Sequence, residues 1–111
     1  MNPTVDSIDA DAVAGLGDHL LLDVREYDEW MSGHAPGAVH MPMDTVPARV
    51  EELPRDRTIV VVCRSGRRSA MVTSWLMTLG YHALNLTGGM HTWAAFGHPV
   101  VNHAGNPGVV I

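Results

Sequence analysis

The sequence predicts an α/β fold built around a parallel sheet, and two observations lead to this prediction. Short apolar or β-branched runs alternate with segments of helical periodicity along the chain, as they do in parallel α/β proteins. The runs at 19–25 and 58–63 contain consecutive apolar residues, which is typical of strands that are buried on both faces. The 111 residues fit one domain, and 46% hydrophobic residues suffice for a core.

The first half of the chain is predicted to hold three strands, each followed by a helix. The strands are short apolar runs between turn residues, at 4–8, 19–25 and 38–41. The helices have apolar residues at helical spacing, at 9–16, 26–32 and 44–53. Asp9 and Asp44 are expected to cap the first and third helices, and Pro47 is tolerated in the first turn of the third.

The second half contains the clearest strand and the clearest helix. Residues 58–63 are mostly β-branched, carry no charge and end at a cysteine. In the helix predicted at 69–79 the apolar positions recur at i, i+3, i+4 and i+7, namely Val72, Trp75, Leu76 and Leu79. A strand at 82–86 and a helix at 90–96 follow. We place the domain at 1–100, because the turn-rich segment 101–111 has no predicted role.

Charge is distributed unevenly along the chain, and lysine is absent. Residues 1–57 carry all 12 acidic residues and four arginines, whereas residues 58–111 carry three arginines and no acid. The net charge of −5 argues against a nucleic-acid partner, because such proteins need a basic face. The sequence shows neither a membrane-spanning apolar stretch nor a signal peptide, so we expect a cytoplasmic protein without a membrane partner.

The only cysteine, Cys63, lies where an anion can be bound. It ends a predicted parallel strand, and ligands of such sheets lie beyond the carboxyl ends of the strands. The amides of a curled loop, the start of the next helix and the arginines at 64, 67 and 68 all favour negative charge there. These effects lower a thiol pKa, so we expect a nucleophilic thiolate. A lone buried cysteine is more often inert, but an inert one needs no such loop.

Four ordered motifs resemble those of the single-domain rhodaneses, the thiosulfate and related sulfurtransferases. The motifs are LLDVRE at 21–26, GHAPGAVHMP at 33–42, CRSGRRS at 63–69 and GGMHTW at 88–93. They extend the resemblance over about residues 4–100, and their shared order makes it specific. Ala35 departs from the isoleucine or leucine that is usual in the second motif, which we interpret as a packing change.

This resemblance implies a three-layer α/β/α domain with a five-stranded parallel sheet, and it implies sulfur transfer. Cys63 would accept a sulfane sulfur from a small anionic donor such as thiosulfate and hold it as a persulfide. A thiol, cyanide or a protein would then accept the sulfur. The loop amides would bind the substrate, and they belong to Arg64, Ser65, Gly66, Arg67 and Arg68. Neither a metal nor an organic cofactor is implied.

Three further residues are expected to support the site structurally. Asp23 and Arg25 end a buried strand, where charges are rare without partners, so a structural role, through a salt bridge or through hydrogen bonds to neighbouring loops, is favoured over a direct role in catalysis. Ser69 closes the cysteine motif and is assigned to the same group. The seven histidines show no metal-ligand spacing, so we expect no metal site.

Three other functions compete with the sulfurtransferase. A persulfide carrier would relay sulfur to a partner protein and turn over small donors slowly. A cysteine-dependent phosphatase or arsenate reductase is disfavoured, because only four residues separate Cys63 from Arg68 and position 69 is serine. Phosphatases that share the rhodanese fold have five residues between cysteine and arginine. A non-catalytic binding module is disfavoured by the presence of Cys63 itself.

Overall fold

The structure is a computed structural model that describes residues 5–111. Within this range one parallel sheet contains the strands β1 Ser7–Ile8, β2 His19–Asp23, β3 Val39–His40, β4 Thr58–Val62 and β5 Ala83–Leu86. Their order is β1-β5-β4-β2-β3, and all neighbours are parallel. The predicted five-stranded parallel sheet is thereby confirmed. Thr4, where the first strand was predicted to begin, lies outside the described residues.

The helices are α1 Ala10–Val13, α2 Tyr27–Ser32, α3 Val46–Arg49, α4 Arg67–Thr78 and α5 Gly89–Ala95. The predictions for 9–16 and 44–53 were wrong in detail, because 3-10 turns occupy Ala14–Leu16, Met43–Thr45 and Val50–Glu52. Asp9 precedes α1 without a side-chain capping bond, and Asp44 lies inside a 3-10 turn. Pro47 lies in the first turn of α3, as predicted, where its missing N–H would have no partner within the helix.

The sheet separates two hydrophobic clusters, and this arrangement gives the predicted three layers. Val61 packs with residues of α3 and α4 on one face, whereas Val60 and Val62 pack with residues of α1 and α5 on the other. Successive side chains of a strand point to opposite faces, so both faces of β4 need apolar residues. The continuous apolar run at 58–63 is explained by burial on both sides.

The helix after Cys63 begins two residues earlier than predicted. Arg67 and Arg68 lie in the first turn of α4, and Gly66 precedes it with a φ of +105°. This left-handed conformation favours glycine. Trp75 and Leu79 belong to the apolar repeat of this helix, but they are 37% and 38% exposed. The buried residues of α4 are Ser69, Val72, Thr73 and Leu76.

Residues 100–111 pack against the domain. Val101 exchanges two backbone hydrogen bonds with His34, both of 2.9 Å, and Val109 N–H donates to the Ser32 carbonyl at 3.0 Å. The side chains of Val100 and Val110 join the cluster beneath α5. No helix among residues 5–111 is long and apolar enough to cross a membrane.

Candidate active site

Cys63 follows β4 directly and lies at the carboxyl edge of the sheet. Its side chain is 1% exposed, so the sulfur lies at the bottom of the loop rather than on its rim. The sulfur accepts hydrogen bonds from Gly66 N–H at 3.1 Å and from the Ser69 hydroxyl at 3.2 Å. Both donors approach from the residues that curl around the sulfur, so the loop forms a small cradle for a sulfur anion.

The start of α5 holds this loop in place. Met90 N–H donates to the Cys63 carbonyl at 2.8 Å, and His91 N–H donates to the Arg64 carbonyl at 2.9 Å. Gly89 allows this close approach, because a Cβ atom at that position would lie 2.4 Å from the Cys63 carbonyl oxygen. Its φ of +58° also lies in the region that favours glycine. The glycine pair of the fourth motif thus positions the loop that bears the cysteine.

The surroundings of Cys63 have opposing effects on its pKa. Burial raises the pKa, because it removes water from the thiolate. The Ser69 hydroxyl and the backbone amides of Ser69, Gly66 and Ser65 lower it by hydrogen bonding, and together they place the pKa of Cys63 below its ordinary value. The sulfur receives no hydrogen bond from the amides of Arg64, Arg67 or Arg68. The Gly66 amide and the Ser69 hydroxyl, which lie within hydrogen-bond distance of the sulfur, favour the thiolate.

Arg68 is neutralised by a partner that the sequence analysis did not identify. Its Nη1 and Nη2 donate to the two carboxylate oxygens of Glu29 at 2.7 and 2.9 Å. This pair raises the pKa of Arg68 and lowers the pKa of Glu29. Glu29 belongs to α2, where its carboxylate also forms a capping box with Glu26. The first half of the chain therefore supplies an acid to the arginine cluster, and the expected positive field is weaker.

The other two arginines of the cluster differ in their contacts. Arg64 donates from Nε to the backbone oxygen of Ile111 at 2.9 Å. The side chain of Arg67 is exposed and forms no hydrogen bond or ion pair with residues 5–111. Of the three guanidinium groups, that of Arg67 is the one left free to meet an anion from solution.

Asp23 and Arg25 form an ion pair beneath α2. Arg25 Nη2 lies 2.7 Å from Asp23 Oδ2, and the two side chains are at most 1% exposed. The same nitrogen donates to the Gly33 carbonyl at 2.7 Å, where α2 ends. The pair thereby connects the end of β2 to the helix that carries Glu29.

Asn85 completes the polar network around the sulfur and was missed by the sequence analysis. It lies on β5 and is 8% exposed. Its Oδ1 accepts from the Ser69 hydroxyl at 2.5 Å, and its Nδ2 donates to the Gly66 carbonyl at 3.2 Å. An asparagine within an apolar strand is unusual, and this was the one signal in the sequence that could have identified it.

The chain belongs to the rhodanese-like domain family, whose model matches residues 8–96. A sulfurtransferase of Allochromatium vinosum is 41% identical over 102 residues, which cover 87% of this chain and 95% of that protein. A Bacillus subtilis protein named as a sulfur carrier, YrkF, is 39% identical over 74 residues, which cover 66% of this chain and 40% of that protein. The predicted family is confirmed, and its members include both sulfurtransferases and sulfur carriers.

Solved structures agree with this assignment. A rhodanese-related protein from Thermoplasma volcanium superimposes with a TM-score of 0.82 at 32% identity, covering 86% of this chain and 97% of that one. A rhodanese-like domain protein from Staphylococcus aureus gives a TM-score of 0.75 at 34% identity, covering 79% of this chain and 90% of that one. The fold is thus that of this family.

Proposed function

We propose that the protein is a sulfurtransferase that moves a sulfane sulfur from a small anionic donor to a thiophilic acceptor through a persulfide on Cys63. The observation that carries the proposal is the hydrogen bonding of the Cys63 sulfur by Gly66 N–H and the Ser69 hydroxyl. These donors stabilise a thiolate, which is the nucleophilic form of cysteine. The family also contains proteins named as sulfurtransferases.

The reaction proceeds in two displacements on sulfur. The Cys63 thiolate attacks the outer sulfur of thiosulfate, the sulfur–sulfur bond of the donor breaks, and its electron pair leaves with sulfite. The acceptor, a thiolate or cyanide, then attacks the terminal sulfur of the persulfide, and the Cys63 thiolate leaves. No electrons are gained or lost overall, so neither an oxidant nor a cofactor is needed. The chain has one cysteine, so the acceptor thiol comes from another molecule.

The surrounding residues take two roles in this proposal. The loop amides bind the oxyanion of the donor and the terminal sulfur of the persulfide, and they belong to Arg64, Ser65, Gly66, Arg67 and Arg68. Asp23, Arg25 and Ser69 hold the loop and its neighbouring helix in position. A free thiol of this kind persists under reducing conditions, so we place the reaction in the cytoplasm.

Thiocyanate formation from thiosulfate and cyanide tests the proposal. We expect turnover by the native protein and none by Cys63→Ser. Intact-protein mass spectrometry after incubation with thiosulfate should show one additional sulfur atom, which cyanide removes. A fully active Cys63→Ser variant, or a phosphatase activity that depends on Cys63 with no added sulfur, would contradict the proposal.

A second candidate is a persulfide carrier that takes sulfur from a protein donor. It is favoured by the pairing of Arg68 with Glu29 and of Arg64 with Ile111, which leaves less free positive charge for a small anion. Loading by a cysteine desulfurase with cysteine should be compared with loading by thiosulfate. Fast loading by the desulfurase, with thiosulfate loading slower by orders of magnitude, would identify a carrier.

A further inference from the structure

The Ser69 hydroxyl lies between two hydrogen-bond acceptors but has one proton. Its oxygen is 2.5 Å from Asn85 Oδ1 and 3.2 Å from the Cys63 sulfur. A hydroxyl donates one hydrogen bond at a time, so the two acceptors compete for the same proton. Ser69 is fully buried and Asn85 is 8% exposed, so water does not readily substitute for either partner. The position of this proton therefore depends on which acceptor is stronger.

The orientation of the Asn85 amide is fixed by the loop itself. Its Nδ2 donates to the Gly66 carbonyl at 3.2 Å, which leaves Oδ1 facing the Ser69 hydroxyl. The reverse orientation would place two oxygens without a shared proton at the Gly66 contact, which is unfavourable in a buried site. Asn85 is therefore held as an acceptor toward Ser69.

We propose that Asn85 is a positioning residue that acts through Ser69. It accepts the hydroxyl proton of Ser69 while the Cys63 sulfur is uncharged, and it gives up this hydrogen bond when the sulfur becomes a thiolate. A charged acceptor forms a hydrogen bond about twice as strong as a neutral one, so the thiolate wins the competition. The neutral thiol instead can donate its own proton to the Ser69 oxygen, since that oxygen keeps its lone pairs.

This exchange matches the charge changes of the proposed reaction, on which this part of the inference rests. In the free protein the inner sulfur of Cys63 is a thiolate, and Ser69 donates to it. In the persulfide the negative charge lies on the terminal sulfur, and the inner sulfur is a neutral divalent atom. The Ser69 hydroxyl then returns to Asn85, so Asn85 Oδ1 regains in the persulfide the hydrogen bond that it gives up in the thiolate state.

The pH dependence of Cys63 alkylation by iodoacetamide tests the inference without any sulfur donor. We expect Asn85→Leu, which keeps a similar shape but accepts no hydrogen bond, to lower the pKa of Cys63 by roughly half to one unit. Ser69→Ala should raise the pKa, because the thiolate loses a donor. In the Ser69→Ala background, Asn85→Leu should no longer lower it. Arg68, whose charge interacts with Cys63, is unchanged in every variant.

Asn85→Asp is a second comparison, since it keeps an acceptor toward Ser69, loses the amide donor to Gly66 and adds a negative charge that itself disfavours the thiolate. Its Cys63 pKa should not fall. Asn85→Ala replaces Asn85→Leu if the larger side chain prevents folding, with circular dichroism as the check. An unchanged or raised pKa in a folded Asn85→Leu or Asn85→Ala variant would overturn the inference, as would an equal decrease in the Ser69→Ala background. Failure to load sulfur on Cys63 would contradict the proposed function and leave this result standing.

Discussion

The bidentate pair of Arg68 and Glu29 leads to a prediction about the charge that acts on Cys63. Glu29→Gln removes the carboxylate and keeps a side chain of similar size. Arg68 then loses its neutralising partner, and its positive charge acts on the Cys63 thiolate with less compensation. The pKa of Cys63 should therefore fall below its value in the native protein, while the domain itself becomes less stable.

The magnitude of the effect on stability follows from the geometry of the pair. The two contacts measure 2.7 and 2.9 Å, and the side chains of Arg68 and Glu29 are 34% and 14% exposed. Exposed ion pairs contribute about 0.2–1 kcal/mol, so a bidentate pair at this depth belongs near the upper end. Its loss should lower Tm by about 4–8 °C. An uncompensated charge near the sulfur is worth on the order of 1 kcal/mol, or about 0.7 pKa units.

Iodoacetamide alkylation over a pH series and thermal unfolding measure the two effects on the same samples. Asp28→Asn provides the control, because it removes an exposed carboxylate from the same helix. The difference in pKa between Glu29→Gln and the native protein should shrink as salt is added. A Glu29→Gln variant whose Cys63 pKa is unchanged or raised would refute the view that this pair limits the positive field at the sulfur.

Three further predictions concern the stability of the domain. Folding lowers the pKa of Cys63, so its ionisation stabilises the native state above the unfolded-state pKa. This contribution is lost as the pH falls through the folded-state pKa. In urea unfolding, the difference in free energy of unfolding between the native protein and Cys63→Ser should therefore widen as the pH rises to about 8.5. Gly89→Ala should lower the free energy of unfolding by about 2–4 kcal/mol, as measured by thermal unfolding. Gly97 has a similar φ but open space around it, so Gly97→Ala should lower it only by the backbone strain of about 1–2 kcal/mol. In Gly108→Ala the new Cβ would lie 2.7 Å from the Ser32 carbonyl oxygen, so amide exchange in residues 100–111 should increase. An equal increase in Gly15→Ala would contradict this explanation.

Much of the fold could be predicted because the sheet leaves a strong pattern in the sequence. A strand such as β4 is buried on both faces, so its position follows from the apolar run alone. The segments around Asp9 and Asp44 were harder to predict, because the same polar residue types occur at helix caps and in 3-10 turns. The exposure of Trp75 could not be predicted, because helical spacing identifies one face of α4 and does not say how much of that face is covered.

The candidate site was predictable only where its residues are close in sequence. Cys63, Gly66 and Ser69 lie in one short loop, so the chemistry of the loop could be inferred from its composition. Glu29 lies 39 residues from Arg68, and Asn85 lies 16 residues from Ser69. Those contacts exist because the fold brings α2 to Arg68 and β5 to Ser69, both in the first turn of α4. The balance of charge at the sulfur is set by these distant partners.

The two hydrogen bonds from α5 to the loop have a mechanical consequence. The carbonyls of Cys63 and Arg64 are held by Met90 and His91, so the loop cannot swing outward without breaking both bonds. The sulfur stays at its depth, and it is the other molecule that must cover the remaining distance. In the proposed reaction, a sulfur acceptor carried on a narrow, extended arm would reach it, whereas a thiol on a flat protein surface would be stopped at the rim.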